Sequence, residues 1–154
     1  MESNMHPYRR FLAMVAVSTI VMFGLMYLNT YEVDHVFFSQ TRAWMALVMG
    51  ATMAVIMLGF MLHMLTNKKA NVAIAVASAV VFVLSLWLVR SQATVDDVSY
   101  MKAMIPHHSI AIMTSKRANI TDPRVRKLAD GIIEAQVREI GEMKGLIADL
   151  EHKK

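Results

Sequence analysis

WMALVMGATMAVIMLGFMLHML, Trp44 to Leu65, is a run of 22 residues in which His63 is the sole ionisable side chain. A helix of about 20 apolar residues is what crosses the roughly 30 Å hydrocarbon core of a bilayer. Two further uncharged runs, Phe11 to Leu28 and Val72 to Val89, flank it with 18 residues each. Three such segments in succession point to membrane helices at about 11–28, 44–65 and 72–89. Arg9 and Arg10 ahead of the first run also suit a signal peptide. The following Asn29-Thr30-Tyr31-Glu32 has no small-x-small cleavage pattern, so three retained spans are the better reading. The expected architecture is all-α: a membrane anchor over 1–90, then a different domain over 91–154.

Composition divides the chain at the same place. Apolar residues make up 56% of it and charged residues 18%. The first 90 residues hold six Lys/Arg and three acids, the last 64 ten and nine. The C-terminal part is therefore nearly balanced, and the net charge of +4 makes no basic patch for nucleic acid. The absence of cysteine removes disulfides, thiolate metal sites and cysteine nucleophiles. Methionine is abundant, at 15 residues.

Lysine and arginine in short loops set the orientation of spans. Arg9 and Arg10 precede the first, and Lys68 and Lys69 lie between the second and third. The loop between the first two has Arg42 against Glu32 and Asp34. The expectation is a cytoplasmic N-terminus in a bacterial inner (plasma) membrane, with 91–154 periplasmic or extracellular. In that first loop, Phe37 and Phe38 read as interfacial anchors. His35 is available as an outer ligand, although a lone loop histidine is more simply solvated.

Met45, Met49, Met53, Met57 and Met61 recur every fourth residue of the second span, with His63 and Met64 at its end. At about 100° per residue, this spacing winds a slow stripe of sulfur along a helix. One reading is a relay for cuprous ions. The simpler one is a flexible packing surface, beside Gly50, Ala54 and Gly59, which favour close helix contact.

From Gln92 the pattern changes to a helical hairpin. Thr94-Val95-Asp96-Asp97 resembles a capping start, and a helix is expected over about 96–117. Pro106 removes a hydrogen bond inside it, predicting a kink near Met104–Pro106 or a break into two helices. Asp122-Pro123 is a second helix start, followed by amphipathic periodicity to about residue 151. A bare hairpin leaves its apolar faces half covered, so oligomerisation or packing on the spans is expected to complete the core.

The first hairpin helix carries the chemistry. Met101, Met104, His107 and His108 fall within an arc of about 120°. Thioether and imidazole donors together suit copper. Adjacent histidines diverge by about 100°, so they share one ion only with local distortion or serve two ions. Core packing explains Met101 and Met104 equally well. No H-E-x-x-H supports a zinc hydrolase, and the expected helices carry no Glu-x-x-His pair for a di-iron bundle. Glu134, Glu139 and Glu142 read as a solvated face.

The order Tyr100-Met-Lys-Ala-Met-Ile-Pro-His-His108, Asp122-Pro-Arg-Val-Arg-Lys-Leu-Ala129, Ile132-Ile-Glu-Ala-Gln136 and Glu139-Ile140 with Met143 resembles the bacterial domain-of-unknown-function family numbered 305. The likeness covers about 95–151. It implies a ferritin-like helical fold and an association with copper, and it carries a metal role onto Met104, His107, His108 and Met143. Met101 matches a family position less firmly. This chain has Thr114 where members commonly have methionine, and Met113 stands one residue earlier.

The expectation is a non-enzymatic, membrane-anchored protein that captures, buffers or delivers Cu(I) or Cu(II). Its ligand set is His107, His108, Met104, Met101, Met143 and Met113, and its partners are membrane lipid, further copies of itself and a copper-handling protein. The alternatives are a copper transporter using the methionine stripe, and a metal-free assembly module.

Overall fold

A computed structural model describes residues 5–153. Its elements are α1 (Met5–Leu25), a short 3-10 turn (Val33–His35), α2 (Gln40–Phe60), α3 (Lys68–Ser91), α4 (Asp97–Arg117) and α5 (Pro123–His152). Among the described residues no strand occurs, and the chain is all-α as expected. It divides into two compact units.

The first unit takes in residues up to Met26 together with Thr41–Thr94, and so contains α1, α2 and α3. His6–Leu25, Gln40–Phe60 and Lys68–Ser91 are each long and apolar enough to cross a membrane. At about 1.5 Å per residue they extend roughly 30 Å or more. Their outward residues are apolar too, among them Ile20, Val76, Leu84 and Trp87. Such faces suit lipid rather than water.

The span boundaries differ from those expected. The first apolar run is helical only to Leu25, and Arg42 Nη1 donates 2.7 Å to the Met26 carbonyl at that end. The second run is helical only to Phe60. Beyond it the chain turns, and Leu65 folds back to full burial beside Phe11, Ala54 and Leu58. Asn67 starts α3 by accepting from the Lys69 and Ala70 N–H groups. Tyr8 ties α1 to this turn, donating 2.7 Å to Asn71 Oδ1 and accepting 3.0 Å from the Asn67 N–H.

Gly50 and Gly59 differ as well. A Cβ at Gly50 would collide with the Thr19 side chain, so α1 and α2 approach closely there. Gly59 has nothing within 4 Å of that position and makes no such contact.

The second unit takes in Tyr27–Gln40 and residues from Val95 onward. Asp96 caps α4 by accepting from the Ser99 N–H, which places the cap two residues beyond Thr94. Asp122 caps α5 with Pro123 in the first turn, as the sequence predicts. Helix α4 runs through Pro106 as one element, so the alternative of two short helices does not occur.

Met101, Ile105, Ile112, Ile140 and Ile147 form the buried core of this unit, with Phe37 and Tyr31 packed against it. The loop before α2 thus supplies a third layer that covers part of the hairpin. Of the two phenylalanines read as anchors, Phe37 lies on this core while Phe38 remains 64% exposed. His35 is buried, not solvated: its Nδ1 lies 3.0 Å from Ser109 Oγ on α4. Ser109 Oγ also accepts from the Tyr31 N–H at 2.8 Å. Lys144 on α5 donates to Asp34 at 2.6 Å. That bond holds the Asp34 carboxyl below the usual carboxylate range.

Candidate metal centre

Helical spacing brings Met104 within one turn of both histidines, at i+3 and i+4. The His107 side chain is exposed, and that of His108 is largely buried, with 15% accessible. Their ring centroids are 6.3 Å apart and the planes are inclined by 59°. The two imidazoles diverge as adjacent helix positions must, so an ion held by both needs a side-chain rotation or a further donor.

That donor comes from α5. Glu139 Oε2 lies 3.5 Å from His108 Nδ1, within electrostatic reach. The alignment is not that of a hydrogen bond, and Nδ1 is one of three buried side-chain polar atoms without a partner among the described residues. Burial pushes the His108 pKa down; Glu139 opposes this and His107 adds to it. A neutral imidazole with an unpaired nitrogen beside a carboxylate is chemically suited to a metal ion.

The His108–Glu139 contact also sets the antiparallel register. One turn back along α4 is Met104, and one turn forward along α5 is Met143. Met104 and Met113 are half-buried, and Met143 packs against the core. Met101 is itself a core residue, 6% exposed. The structure therefore brings Glu139 on α5 to His108 on α4, and helical spacing puts Met104 one turn from both histidines. Met113 lies farther along α4.

Glu139 lies on the face that reads as solvated: it accepts from Gln136 Nε2 of its own helix at 3.4 Å, and nothing local in the sequence announces its second neighbour, His108 on α4. Glu134 and Glu142 are exposed as expected. The second-span methionines lie in the other unit. Met49, Met53, Met57 and Met61 are half-buried, and Met57 and Met61 pack with Phe11 and Leu58.

Residues 96–154 match the family described as Domain of unknown function (DUF305). A relative, "Uncharacterized protein L153" of Acanthamoeba polyphaga mimivirus, is 36% identical over 102 residues, covering 62% of this chain and 67% of that protein. The chain belongs to the DUF305 family through its C-terminal segment. The viral match is longer than that segment and takes in part of the preceding region as well. No solved structure matches this chain.

Proposed function

We propose that this protein binds copper without catalysing a reaction, and that it captures, buffers or delivers the metal on the extracytoplasmic side of a bacterial inner membrane. The observation that carries the reading is the His107–His108 pair, one imidazole accessible and the other offering an unpaired buried nitrogen beside Glu139. The donors fit the metal. His107 and His108 would supply nitrogen, Met104 and Met143 sulfur, and Glu139 an anionic oxygen. Mixed imidazole and thioether sets hold both cuprous and cupric ions. Met113 is a reserve donor, and Met101 reaches the ion only by leaving the core.

Orientation rests on Arg9, Arg10, Lys68 and Lys69, which favour the cytoplasmic side. The loop Tyr27–Gln40 and the hairpin form one unit, in keeping with a shared outer location. Exposed Leu128 and Leu146 on α5 offer a surface for a second copy, which would give the four-helix, ferritin-like arrangement that the family resemblance implies. A copper-handling partner is a further reading of the same surface.

Metal analysis of the full-length protein after copper exposure tests the proposal. Stoichiometric copper is expected, with loss of binding in the His107→Ala/His108→Ala variant. A protein that remains metal-free is an assembly module instead. The transport reading has less support, because Met57 and Met61 serve as packing residues. It requires that leucine at Met49, Met53 and Met57 abolish copper flux in vesicles while hairpin binding persists.

A further inference from the structure

The loop between α1 and α2 contains a cluster of a different chemical character. Ligand atoms of Glu32, Asp34 and His35 all lie within 4.8 Å of one another. His35 Nε2 is 3.7 Å from Glu32 Oε2 and 3.7 Å from Asp34 Oδ1. Both distances are too long for hydrogen bonds. Yet the His35 side chain is only 9% exposed, with Nε2 directed between the two carboxylates.

The other ring nitrogen indicates how the imidazole is held. Nδ1 lies 3.0 Å from Ser109 Oγ, which already accepts from the Tyr31 N–H. The serine oxygen has a second lone pair with which to accept from Nδ1–H. In that tautomer the Nε2 lone pair faces two anionic oxygens, an arrangement that a cation among them would stabilise. Metal-bound histidines are oriented in the same way, through the N–H of the nitrogen that does not bind the ion.

Geometry agrees. A tetrahedral ion with bonds of about 2.0–2.2 Å needs ligand atoms roughly 3.3–3.6 Å apart. The two 3.7 Å separations are a few tenths of an ångström from that requirement, and the two carboxylate oxygens, in a cluster whose atoms lie within 4.8 Å of one another, would close on the ion by side-chain rotation of the exposed Glu32. Lys144 occupies Asp34 Oδ2 at 2.6 Å and leaves Oδ1 turned toward the imidazole. Beside the cluster, Tyr31, Glu32, His35 and Lys116 border a cavity of about 100 Å³, large enough for the water that completes such a coordination shell.

We propose that Glu32, Asp34 and His35 form a second metal site, for a borderline divalent transition ion of the zinc type. Its donors are nitrogen and oxygen, with no sulfur, so it selects against cuprous ion. The ion would fasten the loop to the hairpin through Ser109 and Lys144. This site is independent of the copper reading.

The test uses the full-length protein in detergent, titrated with Zn²⁺ in competition with a fluorescent chelator. The His107→Ala/His108→Ala background isolates the loop site. Saturable zinc binding is expected there, with a nitrogen and oxygen shell by X-ray absorption. His35→Gln and Glu32→Gln should each weaken it by about tenfold or more. Glu32 is 55% exposed, so its substitution leaves the packing of His35 in place. A proton on Nε2 instead of a metal predicts no saturable zinc in this background. That result, or an affinity that Glu32→Gln leaves unchanged, overturns the proposal.

Discussion

In the unit of α1–α3 the buried positions are mostly small, Ala46, Gly50, Ala51, Ala54, Ser78 and Ser85, with Phe11, Leu58 and the turn residue Leu65 as the large ones. On α4 and α5 they are mostly large, Met101, Ile105, Ile112, Ile140 and Ile147, and include Pro106, Ser109 and Ala129 as well. The contrast is the one expected between a unit packed in lipid and a unit packed in water. In water, transfer of large apolar side chains drives packing. Lipid gives no such drive, so helices associate through small residues that let their backbones approach. One chain thus uses two methods of holding helices together, and methionine has a different place in each. In α2, Met57 and Met61 pack among apolar residues; on α4, Met101 belongs to the core and Met104 lies one helical turn from two histidines.

Truncating the hairpin core should have the largest effect. Ile105 is fully buried, and Ile105→Ala is expected to cost about 2–5 kcal/mol. Hydrogen exchange of α4 and α5 amides in the full-length protein reads this loss. A change within about 0.5 kcal/mol, as surface substitutions give, would show that burial does not hold this unit together.

The membrane unit should respond to added volume. Gly50→Ala forces a methyl group against Thr19 and is expected to destabilise α1–α2 packing by about 1–3 kcal/mol. Gly59→Ala meets nothing within 4 Å and should be neutral or slightly stabilising. Unfolding in mixed detergent compares the two, and equal effects would remove close approach at Gly50 as the explanation.

The smallest effect is electrostatic. The folded protein holds the His108 pKa below its ordinary value. As pH falls below about 6.5, the unfolded chain takes up a proton that the folded one resists. His108 therefore favours the fold fully above that pH, and the contribution declines in acid. In a His108→Gln variant the stability–pH profile between pH 7 and 5 should be flatter than in the wild type. An unchanged slope would remove His108 as the source.

Much of the fold was legible because three apolar runs and Asp122-Pro123 are local signals. Helix ends were less so: Leu65 continues an apolar run, but Tyr8 and Asn67 draw the chain into a turn there. The histidine pair on α4 was legible as chemistry. Its carboxylate neighbour Glu139 was not, since antiparallel register decides which side chain faces His108. The burial of His35 depends on Ser109, 74 residues away in sequence. Helical periodicity separates faces, and it is silent about what a distant loop lays on them. Gly50 and Gly59 make the same point, being alike in sequence context and different in the neighbours they meet.

The most direct test of the central claim is a competition measurement of Cu(I) affinity on the full-length protein and its His107→Ala/His108→Ala variant. Tight binding is expected of the wild type, and its loss in the variant while helical content is retained. Equal affinity in the two proteins would contradict it.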